Sequence, residues 1–221
     1  MSSQRTRWGQ QTLFDRANVA AYSFGVENAW IARPFGRLVW GTDVTVFYDA
    51  ISALGDLPDD TAVLDIPCGS GVALRGLRST QRLRYVAADI SPDMLTRTRR
   101  RAAELGRTDV ELATADIAAL PFGDGEFDVV VSFNGLHCLP DPATAIAELA
   151  RCLKPGGRLV ALSVVRGAGW RHDLAIEALR RSGVFGPGGT TAELRGWFTD
   201  AGLSVESLQR SGALAHVTAR R

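Results

Sequence analysis

From residue 61 onward the chain alternates short apolar, β-branched runs with longer stretches of helical periodicity, and few architectures accept such a pattern. Five runs read as strands: Thr61 to Ile66 (TAVLDI), Leu83 to Asp89 (LRYVAAD), Val110 to Ala115 (VELATA), Phe127 to Phe133 (FDVVVSF) and Arg158 to Val165 (RLVALSVV). They are mostly apolar on both faces, as parallel strands covered by helices on both sides should be. The alternation therefore predicts a doubly wound α/β sheet.

The intervening segments carry helix signals. Ser91-Pro92-Asp93 places a capping serine, a proline at the first helical position and an acid at the positive end of the helix dipole, and Gly106 ends that helix after Leu105. A second helix starts at Asp141-Pro142 and stops at the turn Lys154-Pro155-Gly156-Gly157, ahead of the fifth strand. Helical patterns follow from Trp170 to Ser182 and from Thr190 to Ala201. Leu203 to Gln209 and Ala213 to Ala219, joined through Ser211-Gly212, suit an antiparallel edge hairpin. Seven strands result, mostly parallel, with the last one antiparallel.

The first 55 residues differ in kind. They hold nine of the seventeen aromatic residues, from Trp8 and Phe14 through Tyr22, Phe24, Trp30, Phe35 and Trp40 to Phe47 and Tyr48. Phe47, Ala50, Ile51 and Leu54 fall on one helical face. Residues 1–55 are expected to form an aromatic-rich helical cap or lid and residues 56–221 the sheet domain, with Tyr22, Trp30 and Trp40 as candidates for lining a ligand pocket.

Composition narrows the function. A chain of 221 residues, 46% hydrophobic and 22% charged, can bury a full core. Twenty-five basic against 24 acidic residues leave a net charge of +1, so no overall field recommends nucleic acid or a membrane surface as partner. All the basic residues but Lys154 are arginine, and the run Arg97, Arg99, Arg100, Arg101 reads as a solvated helix face. Cys68, Cys138 and Cys152 form no CxxC pair, which argues for a reducing compartment, and the start shows no apolar leader; a cytoplasmic location is expected. His172 and His216 have no neighbour at metal-ligand spacing, so no metal is expected.

The sharpest local feature is VLDIPCGSG, residues 63 to 71, a buried strand that runs into a glycine turn at the carboxyl end of the sheet, where such sheets hold their ligands. The dinucleotide fingerprint needs a third small residue, but Leu74 stands there, and no G-x-x-x-x-G-K-[ST] occurs. Phosphate cradling is therefore unsupported. Asp89, which ends the second strand 18 residues beyond Gly71, is placed to reach ribose hydroxyls, and Asp116 follows the third strand, where a carboxylate can accept from an exocyclic amine.

These motifs resemble those of the class I S-adenosylmethionine-dependent methyltransferases, and among them the small-molecule group called methyltransferase type 11. VLDIPCGSG is similar to their first motif, AADISPDML to the second, TADIAALPFGDGEFDVVVSF to the third and fourth, and LARCLKPGGRLVAL to the fifth. Pro67 stands where the first glycine of their loop is usual. The resemblance implies S-adenosylmethionine as cofactor and S-adenosylhomocysteine as product. It puts Asp65, Pro67, Gly69 and Gly71 around the methionyl part, Asp89 on the ribose, Ile90 and Met94 beside adenine, Asp116 and Ile117 at the adenine amine, and Phe133 or Asn134 near the transferable methyl. A sulfonium and an ammonium without phosphate suit a site with three aspartates and no lysine.

Methyl transfer from a sulfonium is an in-line displacement, so positioning can supply most of the catalysis and a base is needed only for a protonated acceptor. His137, after the fourth strand, is the one candidate base, with a structural role as its competing reading. Ser132-Phe133-Asn134-Gly135 lacks the [DNS]-P-P-[YFW] pattern of base-amino methylation. The expected acceptor is a small apolar or aromatic metabolite on oxygen, nitrogen or carbon, and the protein a monomer or homodimer. The alternatives are a non-catalytic S-adenosylmethionine-binding regulatory module, an NAD(P)-dependent oxidoreductase, and a protein or RNA methyltransferase.

Overall fold

The computed structural model describes residues 36–43 and 45–221. Its elements are α1 (Thr45–Ser52), β1 (Ala62–Asp65), β2 (Arg84–Asp89), α2 (Pro92–Glu104), β3 (Glu111–Thr114), β4 (Phe127–Phe133), α3 (Pro142–Cys152), β5 (Leu153–Val164), α4 (Trp170–Arg181), α5 (Thr191–Asp200), β6 (Ser204–Ser211) and β7 (Leu214–Arg220). The seven strands form one sheet in the order β3-β2-β1-β4-β5-β7-β6, parallel except for β7, which runs against both its neighbours. This is the doubly wound, Rossmann-like arrangement that the alternation predicts.

The central strands are buried along almost their whole length because both faces are covered. On one face, Leu95 and Ala102 of α2 join Leu54, Leu57 and Leu74 over Val63, Tyr85, Ala87, Val129 and Val131. On the other, Ile146 and Leu149 of α3 and Leu194 and Phe198 of α5 pack over Leu64, Val86, Val130 and Leu159. Each such side chain contributes roughly 1.5–3 kcal/mol by leaving water. The edge strand β6 is half-exposed and polar, with Glu206 paired to Arg220 of β7, which discourages pairing with another sheet.

Two local readings change, and one helix start gains a detail. The fifth strand begins at Leu153 rather than Arg158, because buried Leu153 already pairs with Phe127 and Gly156 donates to Arg221 O. The expected turn at Lys154–Gly157 is thus taken into the strand. The side chain of Ser91 makes no capping bond at α2; the Ser91 N–H is instead taken by the Asp89 carboxylate. Thr190 and Glu193 form a reciprocal capping box at the start of α5.

The amphipathic face ahead of the sheet is present. Phe47, Ile51 and Leu54 are buried, and α1 lies against Leu162 of β5, Leu214 of β7 and Phe133 of β4. Tyr22 and Trp30 lie outside the described residues. No helix among the described residues is long and apolar enough to cross a membrane.

Candidate functional site

The strand order reverses between β1 and β4, so their carboxyl ends open the crevice where open α/β sheets bind ligands. Four chain segments meet there: the loop after β1, the ends of β2 and β4, and the turn after β3.

The loop after β1 passes through a cis Ile66–Pro67 bond and then Gly69 and Gly71, whose φ values of 54° and 74° are left-handed. A Cβ at Gly71 would press on Thr98 of α2 at 3.1–3.2 Å, whereas one at Gly69 would meet nothing within 4 Å. Gly69 therefore presents open backbone on the outer side of the turn. Its inner side is held down from two directions: Gly69 N–H donates to Asp89 Oδ2 at 3.0 Å, and Thr98 Oγ1 donates to Gly69 O at 2.8 Å. Sequence reasoning missed Thr98; a threonine on the buried face of α2, opposite a glycine loop, was its only signal.

Two acids sit at the strand ends. Asp89 is 5% exposed and spends its oxygens on Gly69 N–H and Ser91 N–H; burial raises its pKa against these bonds. Asp65 is 1% exposed, accepts from Tyr85 Oη at 3.0 Å, and burial, aided by the charge of Asp89, pushes its pKa up to about 7. Two buried carboxylates, with the charge of Asp89 raising the cost of ionising Asp65, are a site that favours a cationic ligand. The single lysine cannot neutralise them, since Lys154 pairs with Asp128 at 2.8 Å at the opposite end of β4.

The remaining predicted residues border this centre. Met94 and Ile117 are buried and Ile90 half-buried, an apolar set beside Asp89 and Asp116. Asp116 Oδ1 accepts from Ala118 N–H at 2.9 Å in the turn after β3. Phe133 and Asn134 are half-buried at the mouth of β4; Asn134 has φ 59° and donates to Leu162 O, and Phe133 meets Phe47 of α1 edge-on at 6.1 Å.

His137 is 2% exposed. Its Nδ1 accepts from Val164 N–H, its ring stands edge-on to Phe185 at 4.4 Å, and burial pushes its pKa down to about 3. The imidazole is thereby kept neutral, with Nδ1 already engaged. Trp40 stacks on Phe185 at 6.0 Å beyond the end of β5, and Trp40 O accepts from Ala213 N–H. Burial pushes the Cys138 thiol up to about 12 and that of Cys68 higher than its ordinary value, so both are held as inert thiols. Arg97, Arg99 and Arg100 are exposed on α2, where Arg100 pairs with Glu104. No group of three or more potential metal ligands is found among the described residues. An open depression of about 560 Å³ lined by Arg82, Arg84 and Arg107 lies at the amino ends of β2 and β3, away from this crevice.

The chain is similar to known proteins in sequence and in fold. Residues 64–161 match the family model described as a methyltransferase domain. The 2-methyl-6-phytyl-1,4-hydroquinone methyltransferase of Synechocystis sp. is 41% identical over 109 residues, covering 48% of this chain and 33% of that protein. The demethylmenaquinone methyltransferase of Clavibacter sepedonicus is 42% identical over 98 residues, covering 44% and 39%. The chain thus spans about a third of the length of the curated relatives it matches. Among solved structures, a SAM-dependent methyltransferase from Aquifex aeolicus superposes with a TM-score of 0.64 at 20% identity, covering 94% of this chain and 98% of that one. The stretch that matches the methyltransferase-domain model, residues 64–161, runs from β1 into β5 of the Rossmann-like sheet.

Proposed function

We propose that the protein is an S-adenosylmethionine-dependent methyltransferase acting on a small apolar or aromatic acceptor. The observation that carries this is the pair of buried carboxylates, Asp65 and Asp89, beneath a glycine loop with open backbone at Gly69 and no phosphate-binding lysine. When bound, the cofactor supplies an activated methyl on a sulfonium. In this reading Asp65 faces the ammonium and Gly69 and Gly71 the methionyl chain. Asp89 takes the ribose hydroxyls on its remaining lone pairs, and Asp116 accepts from the adenine amine between Met94 and Ile117.

Phe133 and Asn134 then border the acceptor space, with Phe47 of α1 behind them. The chain's own contribution is alignment and exclusion of water, which suffices for in-line transfer to an acceptor already deprotonated. His137, neutral and with Nδ1 occupied by Val164 N–H, is best suited to supporting the end of β5. The aromatic substrate class is supported by the quinone-ring acceptors in the names of the two relatives and by the apolar α1–β4 contact.

The test is parallel calorimetric titration with S-adenosylmethionine, S-adenosylhomocysteine and NADPH, followed by turnover on hydroquinone and other aromatic acceptors. Micromolar binding of the first two with silence from NADPH supports the reading. Binding of NADPH alone overturns it, and cofactor binding without turnover on any acceptor favours a regulatory module.

A further inference from the structure

Tyr85 lies on β2 facing the cluster of Leu54, Leu57, Leu74, Leu83 and Leu95, and is wholly buried. It is in register with Val63, two residues before Asp65 on the same face of β1, and from there its hydroxyl reaches Asp65 Oδ2 at 3.0 Å. In this apolar cluster a phenylalanine would fill the same space without the cost of bringing a polar group out of water. The hydroxyl is therefore accounted for by its bond to Asp65 and by nothing in the packing.

We propose that Tyr85 is a positioning residue of the cofactor site, its hydroxyl fixing the Asp65 carboxylate at the base of the glycine loop and keeping it available as an anion for a cationic ligand. This rests on the S-adenosylmethionine reading given above. The groups that face Asp65 are Tyr85 and Asp89 from β2 and Cys68 from the loop, and Arg107, beyond α2, acts in turn on Tyr85. Asp89 and burial both oppose ionisation of Asp65, and the phenol is the group that assists it. A buried acid so arranged has a donor on one side and a like charge on the other, which leaves the ammonium of the ligand as its natural counter-charge.

The test compares S-adenosylmethionine and S-adenosylhomocysteine affinity, by calorimetry from pH 5.5 to 8.5, for the full chain and for Tyr85→Phe, Asp65→Asn and the double variant. Taking the ratio of affinities at each pH cancels any titration of the ligand itself. Wild-type affinity is expected to rise through about pH 7, and Tyr85→Phe to move that rise upward by about one unit, a loss of about tenfold at pH 5.5 that falls to about fivefold at pH 7 and nearly vanishes at pH 8.5. Asp65→Asn should flatten the profile, and adding Tyr85→Phe to it should change nothing further. A Tyr85→Phe profile parallel to wild type, or an undiminished effect in the Asp65→Asn background, would overturn the proposal and leave Tyr85 a packing residue. Should Tyr85→Phe not fold, a wild-type profile that Asp65→Asn leaves unchanged overturns it equally. Failure of the wild type to bind either ligand at any pH would instead overturn the cofactor reading itself.

Discussion

Asp89 and Asp65 are both buried acids at strand ends, yet they differ in what their surroundings ask of them. Asp89 has two backbone N–H donors, so its charge is already matched by the loop and by the entry to α2. Replacing it with alanine removes the proposed ribose bonds and one tether of the glycine turn together. Asp89→Ala is expected to weaken S-adenosylmethionine binding by about 1.5–3 kcal/mol, roughly 10- to 150-fold in Kd by calorimetry, with the far-ultraviolet spectrum unchanged. Asp65 has one donor and a pKa near 7, above the ordinary carboxylate value. Between about pH 4 and 7 the folded chain therefore holds a proton that the unfolded chain releases, and the contribution of Asp65 to stability falls as pH rises through that window. Asp65→Asn removes the charge while keeping an acceptor for Tyr85. The ligand-free variant should be more stable than wild type at pH 8, by on the order of 2 kcal/mol, and little changed at pH 4, as read by urea unfolding at both values. Equal differences at the two pH values would show that the titration of Asp65 is not what matters. On the proposed reading, an acid that costs stability is present because it serves the cationic ligand.

At the scale of elements, the site depends on how securely the pieces around the crevice are fastened. The start of α5 is closed by the Thr190–Glu193 capping box, which satisfies two otherwise unpaired N–H groups. Thr190→Ala should lower stability by about 1 kcal/mol in urea unfolding while leaving cofactor affinity alone. Residues 36–43, ahead of α1, are fastened by backbone bonds and ring contacts. Trp40 O accepts from Ala213 N–H, His172 Nδ1 bonds Val39 O at 2.8 Å, and the Trp40 ring stacks on Phe185, joining this segment to the β6–β7 turn and to α4. Because these contacts lie beyond the end of β5 rather than over Asp65 or Asp89, loss of the indole should act on the acceptor side. Trp40→Ala is expected to raise KM for the acceptor several-fold with KM for S-adenosylmethionine nearly unchanged. Equal changes in both, or none, would remove Trp40 from the proposed acceptor pocket.

For the whole molecule, what could be read in the sequence and what could not follow from the range of the interactions. Thr61 to Ile66 and Phe127 to Phe133 announce strands through local composition, and each is central in the sheet. Asp65, Asp89 and Asp116 are legible because each lies at or just past the carboxyl end of a strand, where topology alone brings chain ends together. The Tyr85–Asp65 bond and the Thr98–Gly69 bond were not, because they join residues 20 and 29 positions apart through side-chain directions that no periodicity encodes. The early start of β5 escaped notice for the same reason, since it depends on Leu153 pairing with Phe127 and on Arg221 returning to Gly156. These long-range ties have a thermodynamic consequence. The crevice is assembled from β1, β2, β4, the turn after β3 and α2, so a ligand held there binds only the folded sheet and should stabilise it as a unit. At a concentration a hundred times Kd, S-adenosylhomocysteine should add about 2.7 kcal/mol, which for a chain of this length raises Tm by roughly 5–11 °C. The rise should scale with the logarithm of ligand concentration, be absent with NADPH, and shrink in Asp89→Ala in proportion to its lost affinity. A melting profile that splits into two transitions on addition of ligand would show that the crevice is carried by one part of the sheet only, with β5, β7 and β6 unfolding independently of it.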